Sequence, residues 1–146
     1  MTNQQKITYL KKYREAMEEI NIAVGELEQW QEIATRISPQ YSGMPHGSDG
    51  TDKLQTAALE IAELKDRIQQ NIHQAQLVRE QVRKLIDSVP EHNLRSLLLL
   101  RYIEGKKWEE IAVEMRYDYR WVLRLHSKAL NRLDEHAIKS HTLSMI

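Results

Sequence analysis

The chain has 146 residues and a mass of 17.2 kDa, the size of one domain or of one domain with an appendage. Its 21 Lys and Arg balance 21 Asp and Glu, which excludes a surface that is basic all over, of the kind that coats nucleic acid or an anionic membrane. Cysteine is absent, which removes disulfides, thiolate chemistry and Cys-ligated metals, and 41% hydrophobic content excludes a disordered chain.

The opening Met-Thr-Asn-Gln-Gln-Lys lacks the apolar core of a signal peptide, and the longest apolar run, Leu97 to Leu100, is far short of a membrane span. No membrane association and a cytoplasmic location are expected. With no Phe, five Gly and three Pro, the composition predicts an all-α chain. A first helix is expected over about 3–37, with Leu10, Tyr13, Met17, Ile20, Val24 and Leu27 recurring every three or four residues, then Ala34 after a slot filled by Gln31. Three glycines and two prolines then fall between 39 and 50, which predicts a loop over 38–52.

A second helix follows over about 53–88. Its stripe is Leu54, Ala57, Ile61, Leu64, Ile68, Asn71, Ala75, Val78, Val82, Leu85 and Val89. Each helix would be roughly 50 Å long, so the two can fold back as an antiparallel coiled-coil hairpin. Two helices bury little surface, which makes a homodimer through the hairpin an expectation. The predicted organisation is a hairpin over 1–89, a helix-turn-helix domain over 90–136 and a tail over 137–146.

From Pro90, expected at a first helical position, the pattern shortens. One helix carries Leu94, Leu97 and Leu98 and stops at Gly105; a second starts at Trp108, with Glu109 and Glu110 in its first turn. Arg116 and Tyr117 form a turn. Asp118 is the expected N-cap of a third helix, Tyr119 to about His136, with Val122, Leu125, Ala129, Leu130 and Leu133 facing inward. Two helices joined by so short a turn make helix-turn-helix geometry.

The charge balance changes when the chain is split. Residues 1–90 sum to −2 and residues 91–146 to +2, while 115–132 alone hold five basic residues against Asp118, a sum of +4. Those five, Arg116, Arg120, Arg124, Lys128 and Arg132, are spaced by four and make a ladder along one helix face. Such a ladder is a solvated face in many proteins; on the second helix of a helix-turn-helix it is a strip of phosphate and base-edge donors.

The stretch Leu100-Arg-Tyr-Ile-Glu-Gly105, followed by Glu110-Ile-Ala112 and by Val122, His126, Lys128-Ala-Leu130 and Leu133, resembles region 4 of bacterial sigma factors over roughly residues 90–134. With Ser42-Gly-Met-Pro-His-Gly-Ser-Asp49 and Asp52-Lys53, the whole chain is similar to the sigma-region-4-like late transcription regulators of phages and prophages, of ArpU or RinA type. Two positions depart from that pattern: Arg116 stands where the family often has Gly, and Asp118 where Ser is usual. The resemblance implies a cytoplasmic, DNA-binding regulator of phage genes in a bacterial host, acting on double-stranded DNA with RNA polymerase as a partner.

By the same resemblance, Tyr119, Arg120, Leu123 and Arg124 are the candidates to face base edges, with Lys106, Lys107, Arg116, Lys128 and Arg132 on phosphates. Trp121 could pack on the sugar-phosphate edge, brace the domain or meet a partner. Two other classes fit the pattern: a packaging or assembly protein similar to a small terminase subunit, and a helical protein-interaction module. An enzyme is not expected. There is no Gly-rich phosphate loop, and no two of the six histidines stand at i,i+4 or as His-x-His, so neither cofactor nor metal is anticipated.

Overall fold

The computed structural model describes residues 1–41 and 48–133, with side chains at 1–37 and 52–133. Every regular element among them is helical: α1 (Asn3–Leu10), α2 (Lys12–Tyr41), α3 (Ser48–Asp87), α4 (His92–Leu98), α5 (Trp108–Met115) and α6 (Tyr119–Arg132). A π-helical turn, Leu99–Ile103, continues α4. None of these helices is long and apolar enough to cross a membrane.

A capping box opens α1. Thr2 Oγ1 accepts from the Gln5 amide at 3.2 Å, while Gln5 Oε1 accepts from the Thr2 amide at 2.9 Å. The single helix expected over 3–37 is two helices, parted at Lys11. The break is slight: Lys11 keeps right-handed angles, its amide donates to Ile7 O at 2.9 Å and its carbonyl accepts from Glu15 N at 3.0 Å.

Of the loop expected over 38–52, residues 38–41 belong to α2 and 48–52 to α3, and 42–47 lie outside the described residues. Pro and Gly lower local helix propensity by about 1–3 kcal/mol each, which a long helix with a packed face can absorb at its ends. Pro90 is also not a first helical position. Glu91 is the N-cap and α4 begins at His92.

By packing, the chain divides at 15/16 and 74/75: one unit holds 1–15 with 75 onward, the other 16–74. The sequence reading drew its boundary at 89/90. The reason for the difference lies in the core of the first unit. Tyr9 and Leu10 of α1 and Val78, Val82, Leu85 and Ile86 of α3 are buried in one cluster with Leu94, Leu97, Leu98, Ile111, Val122, Leu125 and Leu130. The short helices after Pro90 are too small to enclose a core by themselves, so the ends of the long helices complete it.

In the second unit, the stripes read from the sequence are the buried faces. Ile20, Ala57, Leu64 and Ile68 are buried, Met17, Val24, Leu27, Ala34, Leu54, Ile61 and Asn71 half-buried, and Gln31 is exposed. Trp30, Ile33 and Ile37 of α2 line a cleft of about 290 Å³ with Asp52, Lys53 and Thr56 of α3, so the end of one helix adjoins the start of the other.

The charges follow this division more sharply than they follow the sequence boundary. Residues 16–74 hold 4 basic and 10 acidic side chains, a balance of −6. The rest of the chain holds 17 basic and 11 acidic, a balance of +6.

Candidate nucleic-acid interface

The first unit presents α6, and the sequence of α6 explains how. Val122, Leu125, Ala129, Leu130 and Leu133 are buried; Arg120, Arg124, Ser127, Lys128 and Asn131 are exposed. With residues advancing about 100° each, the buried set spans one side of the helix and the exposed set the other. Arg120 and Arg124 lie near the centre of the exposed arc. Tyr119 and Leu123 lie toward one margin, at 42% and 37% exposure, and Trp121 toward the other at 47%.

A spacing of four residues advances the ladder about 40° per step, so it does not stay on one line. Its members also differ in what they touch. Arg116, Arg120, Arg124 and Lys128 are exposed and form no ion pair with a described residue, whereas Arg132 Nε lies 3.1 Å from Glu91 Oε1. The line through Arg120 and Arg124 is continued by Ser127 and Asn131, two residues the sequence reading did not single out. Their signal was present in the helical wheel, but both are uncharged and a search for basic residues passes over them.

The link before α6 is tightly specified. Arg116 adopts φ 59° and ψ 40°, the left-handed region, and is the one non-glycine residue with positive φ among those described. Its amide donates to Val113 O at 3.2 Å and the Tyr117 amide to Ala112 O at 3.0 Å, which closes the end of α5. Glycine adopts this conformation freely; a residue with a Cβ does so at a cost. Asp118 is the N-cap of α6 by its backbone angles, but its side chain accepts no capping hydrogen bond. Its capping role is positional only.

At the other end of α6, Lys6 of α1 is buried at 4% exposure and its ammonium donates to Leu130 O at 2.9 Å. A cation on a last-turn carbonyl meets the negative end of the helix dipole. Nothing in the sequence around Lys6 marks it, because its partner is 124 positions away.

Between α4, α5 and α6 sits a cluster of ring and guanidinium groups. Tyr102 Oη and His126 Nε2 share a hydrogen bond of 2.7 Å, and the Trp108 ring lies 4.5 Å from the His126 ring. The Arg101 guanidinium stands over Trp108 at 4.6 Å and donates to Lys106 O at 3.0 Å. Burial, with the charge of Arg101 added, pushes His126 down to about 4, so the imidazole is neutral at pH 7. Burial likewise raises Tyr102 to about 12. Arg101 and Tyr102 both lie in the π-helical turn that continues α4.

Ahead of α5, Lys107 is exposed and its amide donates to Glu110 Oε1 at 3.1 Å. Lys106 is ion-paired with Glu114, whose carboxylate raises the lysine above its ordinary range. Of the three lysines expected on phosphates, Lys106 alone is ion-paired with a described residue, and Lys107 and Lys128 are not. No group of three or more His, Cys, Asp or Glu with metal-binding proximity exists among the described residues. Comparison with known protein families, with curated proteins and with solved structures finds no match to the chain.

Proposed function

We propose that α5 and α6 form a helix-turn-helix module and that the chain is a sequence-specific DNA-binding regulator of phage or prophage genes, acting with the host RNA polymerase. One observation carries the reading: Arg120 and Arg124 stand exposed, with no ion pair to a described residue, at the centre of a helix face whose opposite side is locked into a core. A helix that enters a major groove needs this division, since its outer side chains must reach base edges while its inner ones hold the angle of entry. In this reading Arg120 and Arg124 make bidentate contacts to guanine, each contributing roughly 1–3 kcal/mol of discrimination. Tyr119 and Leu123 meet flanking bases, and Arg116, Lys107 and Lys128 hold phosphates. Arg132 and Lys106 would first have to leave Glu91 and Glu114.

A single module of this kind buries only about 600–1,000 Å² on DNA, so a second contact has to add affinity. Two copies joined through α2 and α3 as a coiled-coil hairpin, or one copy docked on the polymerase, supply it. The test is a mobility-shift assay on duplex DNA. The wild type is expected to retard the duplex, and the Arg120→Ala, Arg124→Ala double variant to lose the shift while keeping its thermal midpoint. A double variant that binds as the wild type does would remove α6 from the interface.

A further inference from the structure

We propose that Arg14, in the first turn of α2, belongs to the DNA-contacting surface as a phosphate-binding residue beside Lys107. The inference rests on the DNA reading above and adds to it a residue far away in sequence. The fold lays the Arg14 guanidinium flat against Gly105, just ahead of Lys106 and Lys107. A Cβ built on Gly105 would stand 2.5 Å from Arg14 Cζ and Nε and 2.6 Å from Nη2. Gly105 is held as glycine by its φ of +73°, and the movable end of the Arg14 side chain lies in the space beside it.

Arg14 thus stands beside the turn that leads to Lys107, and its donors are not used. Arg14 is half-exposed and makes no hydrogen bond or ion pair with a described residue. A guanidinium offers five N–H donors in a plane and keeps its charge at any working pH, which suits the bidentate binding of a phosphate.

The neighbourhood supplies the second part of the argument. Glu104, Glu109, Glu110 and Glu114 lie along this same stretch, and Glu114 already neutralises Lys106. Lys107 alone would face a phosphate across those carboxylates. Arg14 adds a second positive charge at the entry to α5, where the first helix of a helix-turn-helix meets the backbone.

The experiment is a salt titration of binding to a random-sequence duplex, followed by fluorescence anisotropy, for the wild type, Arg14→Gln and Arg14→Lys. Each phosphate contact contributes about 0.9 to the slope of log K against log salt. Arg14→Gln is expected to reduce the slope by about 0.9 and to weaken binding about eightfold at 0.1 M salt, the factor which that slope gives over a tenfold dilution from 1 M. Arg14→Lys is expected to restore the slope. An unchanged slope in Arg14→Gln, with the wild type still binding, overturns the assignment of Arg14 and leaves α6 in place. Absence of binding by the wild type itself overturns the DNA reading and this inference together.

Discussion

His126 shows how one half-buried side chain ties the candidate interface to pH. It lies on α6 next to residues that face outward, yet its ring is held by Tyr102 and Trp108 and is neutral at pH 7. Its ordinary value is 6.5 and its folded value is about 4, so folding disfavours the protonated form. The contribution to stability is therefore complete above pH 6.5 and is lost as pH falls from there toward 4. After allowance for partial solvation, the loss is about 1–3 kcal/mol. Urea unfolding at pH 7 and pH 4.5 is expected to show a larger drop for the wild type than for His126→Gln, which keeps a polar partner for Tyr102 and cannot titrate. An equal drop in both would mean that the imidazole is solvated in the folded protein.

At the scale of elements, the turn between α5 and α6 holds the clearest tension. A left-handed Arg costs roughly 1–2 kcal/mol relative to a right-handed one, and the chain nevertheless places Arg116 there. Arg116→Gly is expected to raise stability by about 1 kcal/mol, read as a higher urea midpoint with the same slope. A lower midpoint would show that the Arg side chain makes a stabilising contact that offsets the strain. In the sequence this position stands out only as a short turn between two helical patterns, which does not by itself specify left-handed angles. The helical stripes were legible for a physical reason: period-3.5 spacing of Leu, Ile and Val specifies one buried face, and Leu64, Ile68, Val78 and Val82 lie on it. Three features were not legible. Lys6 on Leu130 O, Arg14 on Gly105 and Tyr102 on His126 join residues 24 or more positions apart, and no local period encodes such pairs. The split of the first helix at Lys11 was hidden as well, because Lys11 itself keeps helical angles.

For the whole molecule, the zero net charge is the sum of two opposite halves. The unit that carries α6 stands at +6 and the α2–α3 unit at −6, so the region available to a polyanion is confined to the first. If the chain binds DNA as proposed, the attraction comes from the basic unit and weakens as salt rises. The sequence boundary at residue 90 gave only −2 against +2, because it counted Lys6, Lys11, Lys12, Arg14, Arg79, Arg83 and Lys84 with the acidic half. Folding returns them to the basic one.

The central claim is that this chain reads DNA sequence through Arg120 and Arg124. Selection of bound duplexes from a random pool tests it most directly. One short motif containing guanines is expected to be enriched, and that enrichment to be lost in the Arg120→Ala, Arg124→Ala variant. A pool that stays random with the wild type, or the same motif enriched by the double variant, would contradict it.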